Sequence, residues 1–217
     1  VKFLGAEVGG QFNCRAGHFL KEGESLMASN IKVGGGVFLI HGFKSRGKIS
    51  FIAAAVKVQF SLHGASLACK DGLALIADRM SLNGTFYMGE GFKSEGGISL
   101  NGGDIQGQIN GSGAVLSGEQ KTSFFANNLH VTGTVFLDRG FSSKGRLSFA
   151  SAKIDGDLSF RDAEFIGSLY ASKLQVLGAL IIFDIKKPMS KVSLASARVT
   201  ALNDNAQSWG QHLILNG

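Results

Sequence analysis

The sequence predicts an all-β fold, a right-handed parallel β-helix of about nine coils built on a 49-residue double-coil repeat. Four observations carry this. The stretch Thr134 to Phe165, TVFLDRGFSSKGRLSFASAKIDGDLSFRDAEF, has two earlier copies, Gly36 to Leu67 and Thr85 to Leu116. Phe43, Phe92 and Phe141 recur at a constant interval of 49, each inside the hexapeptide Gly-Phe-x-Ser-x-Gly. Inside each copy a shorter apolar step recurs. Finally, Gly 31 against Pro 1 places glycines in register with the apolar residues, as corners of a repeating turn require.

The shorter step defines the strands. Ile49 and Phe51 recur at an interval of 11 as Phe60 and Leu62, Ala54 as Ala65, and Val56 as Leu67. The later copies repeat this with Ile98/Ile109, Gly103/Ala114 and Ile105/Leu116, and with Leu147/Leu158, Phe149/Phe160, Ala152/Ala163 and Ile154/Phe165. Two apolar residues separated by one lie on the same face of a short strand, because side chains alternate. The three- and four-residue spacing of a helix is absent. The small residue predicts a bend. Four units of about 12 residues fill the repeat, so a coil of two units has about 24, and nine coils at ~4.8 Å make a rod of about 40 Å. A left-handed helix would show a six-residue step, which is missing.

Along the chain, Val8, Phe12, Cys14 and Phe19 precede Val56, Phe60, Leu62 and Leu67 at an interval of 48, while Leu26, Ala28, Ile31 and Val33 precede Leu75, Ala77, Met80 and Leu82 at 49. One residue is therefore gained or lost between Gly17 and Leu26. Gly118–Asn128 has room for one helical turn. After Phe165 the interval falls to 45, with Ala171, Leu174, Val176 and Gly178 answering Ala126, Leu129, Val131 and Gly133. Residues 1–217 read as a single β-helix domain, with 188–217 an atypical C-terminal coil and cap. Val192, Leu194, Ala197 and Val199 form a last unit, Asn203-Asp204-Asn205 reads as a turn, and Trp209, the only tryptophan, is expected to cover the open end of the stack.

Composition bounds the partners. With 44% hydrophobic residues the chain carries enough apolar surface to fold. A formal charge of +6 suits nucleic acid, phospholipid or acidic polysaccharide, or simply reflects a modest lysine surplus. The most apolar run, Leu174–Phe183, falls short of the ~18 residues of a membrane span, so no transmembrane segment is expected. No charged and apolar leader is seen and the chain begins with Val1, which reads as a fragment or processed product; the cytoplasm is the favoured compartment. Cys14 and Cys69 are too few for a disulfide framework. Cys14 takes the place of Leu62 and reads as a small buried apolar residue, Cys69 as a turn residue, and no metal or other cofactor is expected.

The unit G-x-V-F-L-x-x-G-F-x-S-x-G-x-L-S-F-x-x-A-x-I-x-G-x-L-S-F, with the ending from Val199 to Trp209 and Leu213-Ile-Leu-Asn-Gly, resembles a group of bacterial β-helix repeat proteins of unknown function, some labelled "membrane-associated oxidoreductase". The resemblance covers nearly the whole chain. Its members usually run on past the tryptophan, and this sequence holds no nucleotide or redox motif to carry the label's activity. The chain is more loosely similar to pentapeptide-repeat and bactofilin-type β-helices, without the five-residue step of the former.

No catalytic residue is predicted. Gly34-Gly35-Gly36 and Gly102-Gly103 lack the strand-loop-helix context of a phosphate cradle. His18, His41, His63, His130 and His212 show no metal-binding spacing, and Gly111-Ser112-Gly113 lacks the strand-to-helix elbow of a nucleophilic serine. Asp104, Asp155, Asp157, Asp162 and Glu164 recur on one side, as the paired carboxylates of glycoside hydrolysis would, or as solvated turn residues.

The exposed feature of interest is the Gly-Phe turn. Stacking the copies aligns Lys44, Lys93 and Ser142, then Arg46, Glu95 and Lys144, then Lys48, Gly97 and Arg146. The six basic residues Lys44, Arg46, Lys48, Lys93, Lys144 and Arg146 form a candidate anion-binding column, with rungs about 10 Å apart if a coil intervenes. The plainer reading is surface charge that keeps sheets from aggregating. Phe43, Phe92 and Phe141 are expected inside, as a ladder of stacked rings. The sequence as a whole predicts a non-catalytic structural or interaction module, self-associating through coil ends or meeting a protein partner. A carbohydrate-binding or carbohydrate-active β-helix, and a binder of anionic polymer or lipid through the basic column, are the other two readings. Flat Thr-x-Thr ladders of an ice-binding face are absent.

Overall fold

A computed structural model describes residues 1–118, 122–210 and 212–215, and of Asp71 and Thr122 the backbone alone. Its strands are parallel and stack as a β-solenoid of about nine turns. Each coil has four short sides. The first carries Glu7–Val8, Lys32–Val33, Ala55–Val56, Ser81–Leu82, Asp104–Ile105, His130–Val131 and Lys153–Ile154 one above another. The register explains the sequence period. The step from Ala55 to Ser81 is 26 and that from Ser81 to Asp104 is 23, together 49, so a long and a short coil alternate. His130 to Lys153 to Gln175 takes 23 and then 22, the shortened interval of 45. Glu7 to Lys32 to Ala55 takes 25 and then 23, the interval of 48 near the N-terminus.

Both apolar residues of each predicted unit point inward, and one buried cluster runs from Phe12 to Leu194. Phe43, Phe92 and Phe141 lie inside as expected, but their rings do not rest directly on one another. The inward corner column reads Phe43, Ala65, Phe92, Ala114, Phe141, Ala163, held by the bonds from Ser66 N to Phe43 O, Lys93 N to Ala65 O and Val115 N to Phe92 O. A ring is too bulky to repeat at every rung of this corner, so alanine alternates with it and each ring gains two coils of height, ~9.6 Å. The rings meet neighbours sideways, Phe43 with Phe19 at 5.3 Å and Phe141 with Phe165 at 6.0 Å. Parallel stacking on adjacent rungs occurs on the second side, between Phe60 and Phe86, at 5.2 Å and 12°.

The expectation that glycines make the corners holds only in part. Left-handed corner residues stack at Gly5, Asn30, Ala53, Arg79, Gly102, Asn128, Ser151, Lys173 and Ser196, only two of them glycine. Side chains here cost about 1 kcal/mol each, which the stack outweighs. Glycine is required instead where coils touch. Gly84, Gly107, Gly133, Gly156 and Gly178 lie one above another, and a Cβ on Gly84 would sit 1.7 Å from the Val58 carbonyl oxygen.

Other expectations are corrected. Cys69 lies within the strand Ser66–Ile76, not in a simple turn. Gly118–Asn128, which had room for one helical turn, holds the strand Thr122–Phe125 and a following turn, with 119–121 outside the described residues. Asn203 and Asp204 extend the strand Arg198–Asp204, opposite Ile181 and Ile182, so the turn starts later, with a short 3-10 helix Ala206–Ser208. Trp209 packs against the core, and its Nε1 donates to Asp204 Oδ2. No helix among the described residues is long and apolar enough to cross a membrane.

Candidate functional site

The Gly-Phe-x-Ser-x-Gly hexapeptide turns from the second side into the third, carries the third-side strand and ends at the turn into the fourth, and each of its positions has a physical cause. Gly42, Gly91 and Gly140 take φ of +90°, +76° and +86°, which favours glycine. The phenylalanine fills the core and the next residue points out. The serine points in: Ser45, Ser94 and Ser143 are buried. Ser94 Oγ donates to Gly96 O at 2.6 Å and Ser143 Oγ to Gly145 O at 3.2 Å, whereas Ser45 Oγ has no partner. The last glycine lies under an arch of the neighbouring long coil. Ala68 faces Glu95 and Leu73 faces Gly97, so residues 69–72 span Gly96 alone, and a Cβ there would meet Cys69 O at 2.7 Å and Gly72 O at 2.9 Å. The extra residues of the long coil form this arch. The four residues lost after Phe165 come from the equivalent place, where Phe165 leads within three residues into Ser168–Tyr170.

The structure places the basic column on the outer surface of this corner. A coil does intervene: Ser66 sits between Lys44 and Lys93, and Val115 between Lys93 and Ser142. Lys44, Arg46, Lys93 and Lys144 are exposed, and among the described residues none of them forms an ion pair. Lys48 is half-buried with Glu24 at 3.9 Å, and the Arg146 guanidinium lies 4.3 Å above the Tyr170 ring. Beside the arch of residues 69–72 a groove of about 950 Å³ brings Arg46, Lys48 and Lys70 together with Glu22, Glu24 and Glu95. Basic rungs are therefore periodic, but carboxylates interrupt them.

The carboxylates of the first side are drawn into ion pairs. His130 stands between Asp104 (Nδ1 to Oδ1, 3.0 Å) and Asp155 (Nε2 to Oδ2, 3.1 Å), and Lys153 Nζ lies 2.7 Å from Asp155 Oδ1. The Lys153 ammonium, and then His130, hold the Asp155 carboxyl below its ordinary range. The two aspartates meet opposite sides of the imidazole, so this is a ladder and not a chelate. The expected grouping of the carboxylates on one side is corrected: Asp157 Oδ1 accepts the Ala179 amide at 2.7 Å, while Glu164 lies on the third side opposite Ser142, and Asp162 and Glu164 pair with Lys186 and Lys187. At the first coil Lys32 donates to Glu7 and lowers its carboxyl. Burial pushes the Cys14 thiol up; the residue is half-buried at the edge of the core. Sequence motifs missed His130, though its aspartates stand at separations of 26 and 25, one coil in each direction.

A further array lies on the outer face of the second side, where Phe38, Ser61, Tyr87, Asn110, Phe136 and Ser159 stack in register. Its aromatic members, Phe38, Tyr87 and Phe136, keep the same interval of 49 as the corner phenylalanines, a signal present in the sequence. No known protein family, no curated protein and no solved structure matches this chain.

Proposed function

We propose that this solenoid is a non-catalytic interaction module that presents a periodic surface to an extended partner. The observation that carries the reading is the repetition of outward chemistry every second coil: Lys44 and Lys93 on the third side and Phe38, Tyr87 and Phe136 on the second keep one rise, ~9.6 Å, on a closely packed stack. A repeated surface of this kind binds repeated partners by many weak, equivalent contacts. The described carboxylates and histidine of the first side are engaged with one another, which supports a structural use for them.

Two kinds of partner suit the surface. The exposed Lys44, Arg46, Lys93 and Lys144, unpaired among the described residues, favour an anionic polymer following the column. The parallel stack, in which each coil already pairs with the next through the same backbone rungs, favours a second copy of this chain as the other. Sedimentation velocity across protein concentration, with and without short polyphosphate, tests both. A ladder of species growing with concentration supports stacking. A monomer that shifts only with polyphosphate, and loses the shift in K44E/K93E, supports the column. Turnover of a small substrate by the purified chain would overturn the module reading.

A further inference from the structure

The outward column of the second side has a chemistry that the basic corner does not share. Phe38, Tyr87 and Phe136 alternate with Ser61, Asn110 and Ser159, because Val37, Phe60, Phe86, Ile109, Val135 and Leu158 occupy the inward places of the same two-residue strands. Phe38 and Phe136 are half-buried, Tyr87 is 38% exposed, and none of the three belongs to the core cluster. Phe38 is laid back along the sheet. A Cβ on Gly36 would touch its Cζ at 2.8 Å and Gln59 Cγ at 3.2 Å, so the glycine makes room for the ring.

Polar groups flank the rings. Beside Tyr87 a groove of about 430 Å³ is lined by His63, Glu90, Asn110, Ser112 and Arg139. Asn110 Oδ1 accepts the Ser112 amide at 3.1 Å, which leaves the Asn110 NH2 to donate outward. The buried Asp138 accepts the hydroxyls of Ser112 at 2.6 Å and Ser159 at 3.1 Å, holding Ser112 at the rim of this face and Ser159 buried beneath it.

We propose that this face is a binding platform for a neutral β-1,4-linked hexose polymer. The proposal rests on the interaction-module reading and adds a partner for its second side. A pyranose with equatorial hydroxyls offers an apolar C–H face to an aromatic ring and a polar rim to amides and hydroxyls at its side. In a β-1,4 chain successive sugars turn over, so the same face returns every disaccharide. Two coils, ~9.6 Å, are close to that repeat. Phe38, Tyr87 and Phe136 thus stack every second sugar, while the half-buried Gln59 and Asn110 meet the hydroxyls between them. The register, parallel throughout, keeps the three platforms on one line.

The test is calorimetric titration of the whole chain with cellohexaose, with maltohexaose and short polyphosphate as comparisons. Cellohexaose binds and maltohexaose, whose α-linkage curls the chain away from a straight row, does not. Tyr87→Ala weakens cellohexaose binding by about tenfold or more and Tyr87→Phe keeps most of it. Unchanged thermal unfolding of Tyr87→Ala shows that the loss is local, and Phe136→Ala gives an independent second reading. Equal binding of both oligosaccharides, or full binding by Tyr87→Ala, overturns the proposal. Failure to bind cellohexaose, with polyphosphate binding or self-association retained, overturns it and leaves the module reading standing. Cleavage of bound cellohexaose overturns the module reading and leaves the face in place.

Discussion

Ser94 Oγ donates to the carbonyl oxygen of Gly96 at 2.6 Å, closing the hexapeptide corner on itself inside the core. The equivalent hydroxyl one repeat earlier, on Ser45, is equally enclosed and has no partner. The same residue in the same motif therefore carries opposite energetics.

Ser94→Ala leaves the Gly96 carbonyl without its donor and should destabilise by about 1–2 kcal/mol. Ser45→Ala removes a buried polar atom that gains nothing from its surroundings, and should be neutral or stabilising by about 1 kcal/mol. Urea unfolding of the two variants checks this. Equal losses would mean that the serine acts through its size and not through its hydroxyl.

Glycine along the stacked column is fixed by contact between coils. Gly84→Ala drives a Cβ into the Val58 carbonyl and should cost about 3 kcal/mol or more, since backbone on both sides must part. Gly72, in the arch, has open space where a methyl group would stand, and Gly72→Ala should change stability by under about 0.5 kcal/mol. Thermal unfolding of the pair separates close approach from turn flexibility, and similar melting of both variants would refute the column's role.

The inside and outside of the corner differ in the same way. Phe141 is wholly buried, and Phe141→Ala should cost about 3–5 kcal/mol. Lys144, on the same corner, is exposed and unpaired among the described residues, and Lys144→Ala should stay within about 0.5 kcal/mol. Chemical denaturation with matched slopes checks the difference. Small, equal effects would invert the assignment of the corner's two faces.

The double-coil period is legible in the sequence because stacking forces the same inward residues to recur, and Phe43, Phe92 and Phe141 record it directly. Which residues meet across coils is harder to read. Pitches of 23 and 26 alternate, so no single offset leads from Asp104 to His130 and from His130 to Lys153. The alternation of Phe43 with Ala65 is hidden for the same reason. Two-residue strands such as Phe86–Tyr87 are too short to show by pattern which member faces out, and both of these are aromatic. Glycines read as corners because positive φ is the commoner reason for their use, while close approach depends on the adjacent coil, as at Gly84 and Val58. Cys69 reads as a turn residue because the arch over Gly96 interrupts the apolar step without ending the strand.

The ladder on the first side predicts a pH dependence with a definite sign. The Lys153 ammonium, and next His130, lie against Asp155 in the folded chain and depress its pKa, whereas the unfolded chain returns it to the ordinary aspartate value of about 3.9. A depressed folded pKa contributes stability that is present above the unfolded value and is lost as pH falls through the folded one. The group is partly open to water, so the contribution should be under about 1 kcal/mol. Asp155→Asn should therefore unfold at lower urea than the parent at about pH 6, and the gap should close as pH drops below about 4. A gap that persists unchanged into acid would show that the asparagine disturbs packing, and that the Lys153–Asp155–His130 contacts contribute little to holding adjacent coils in register.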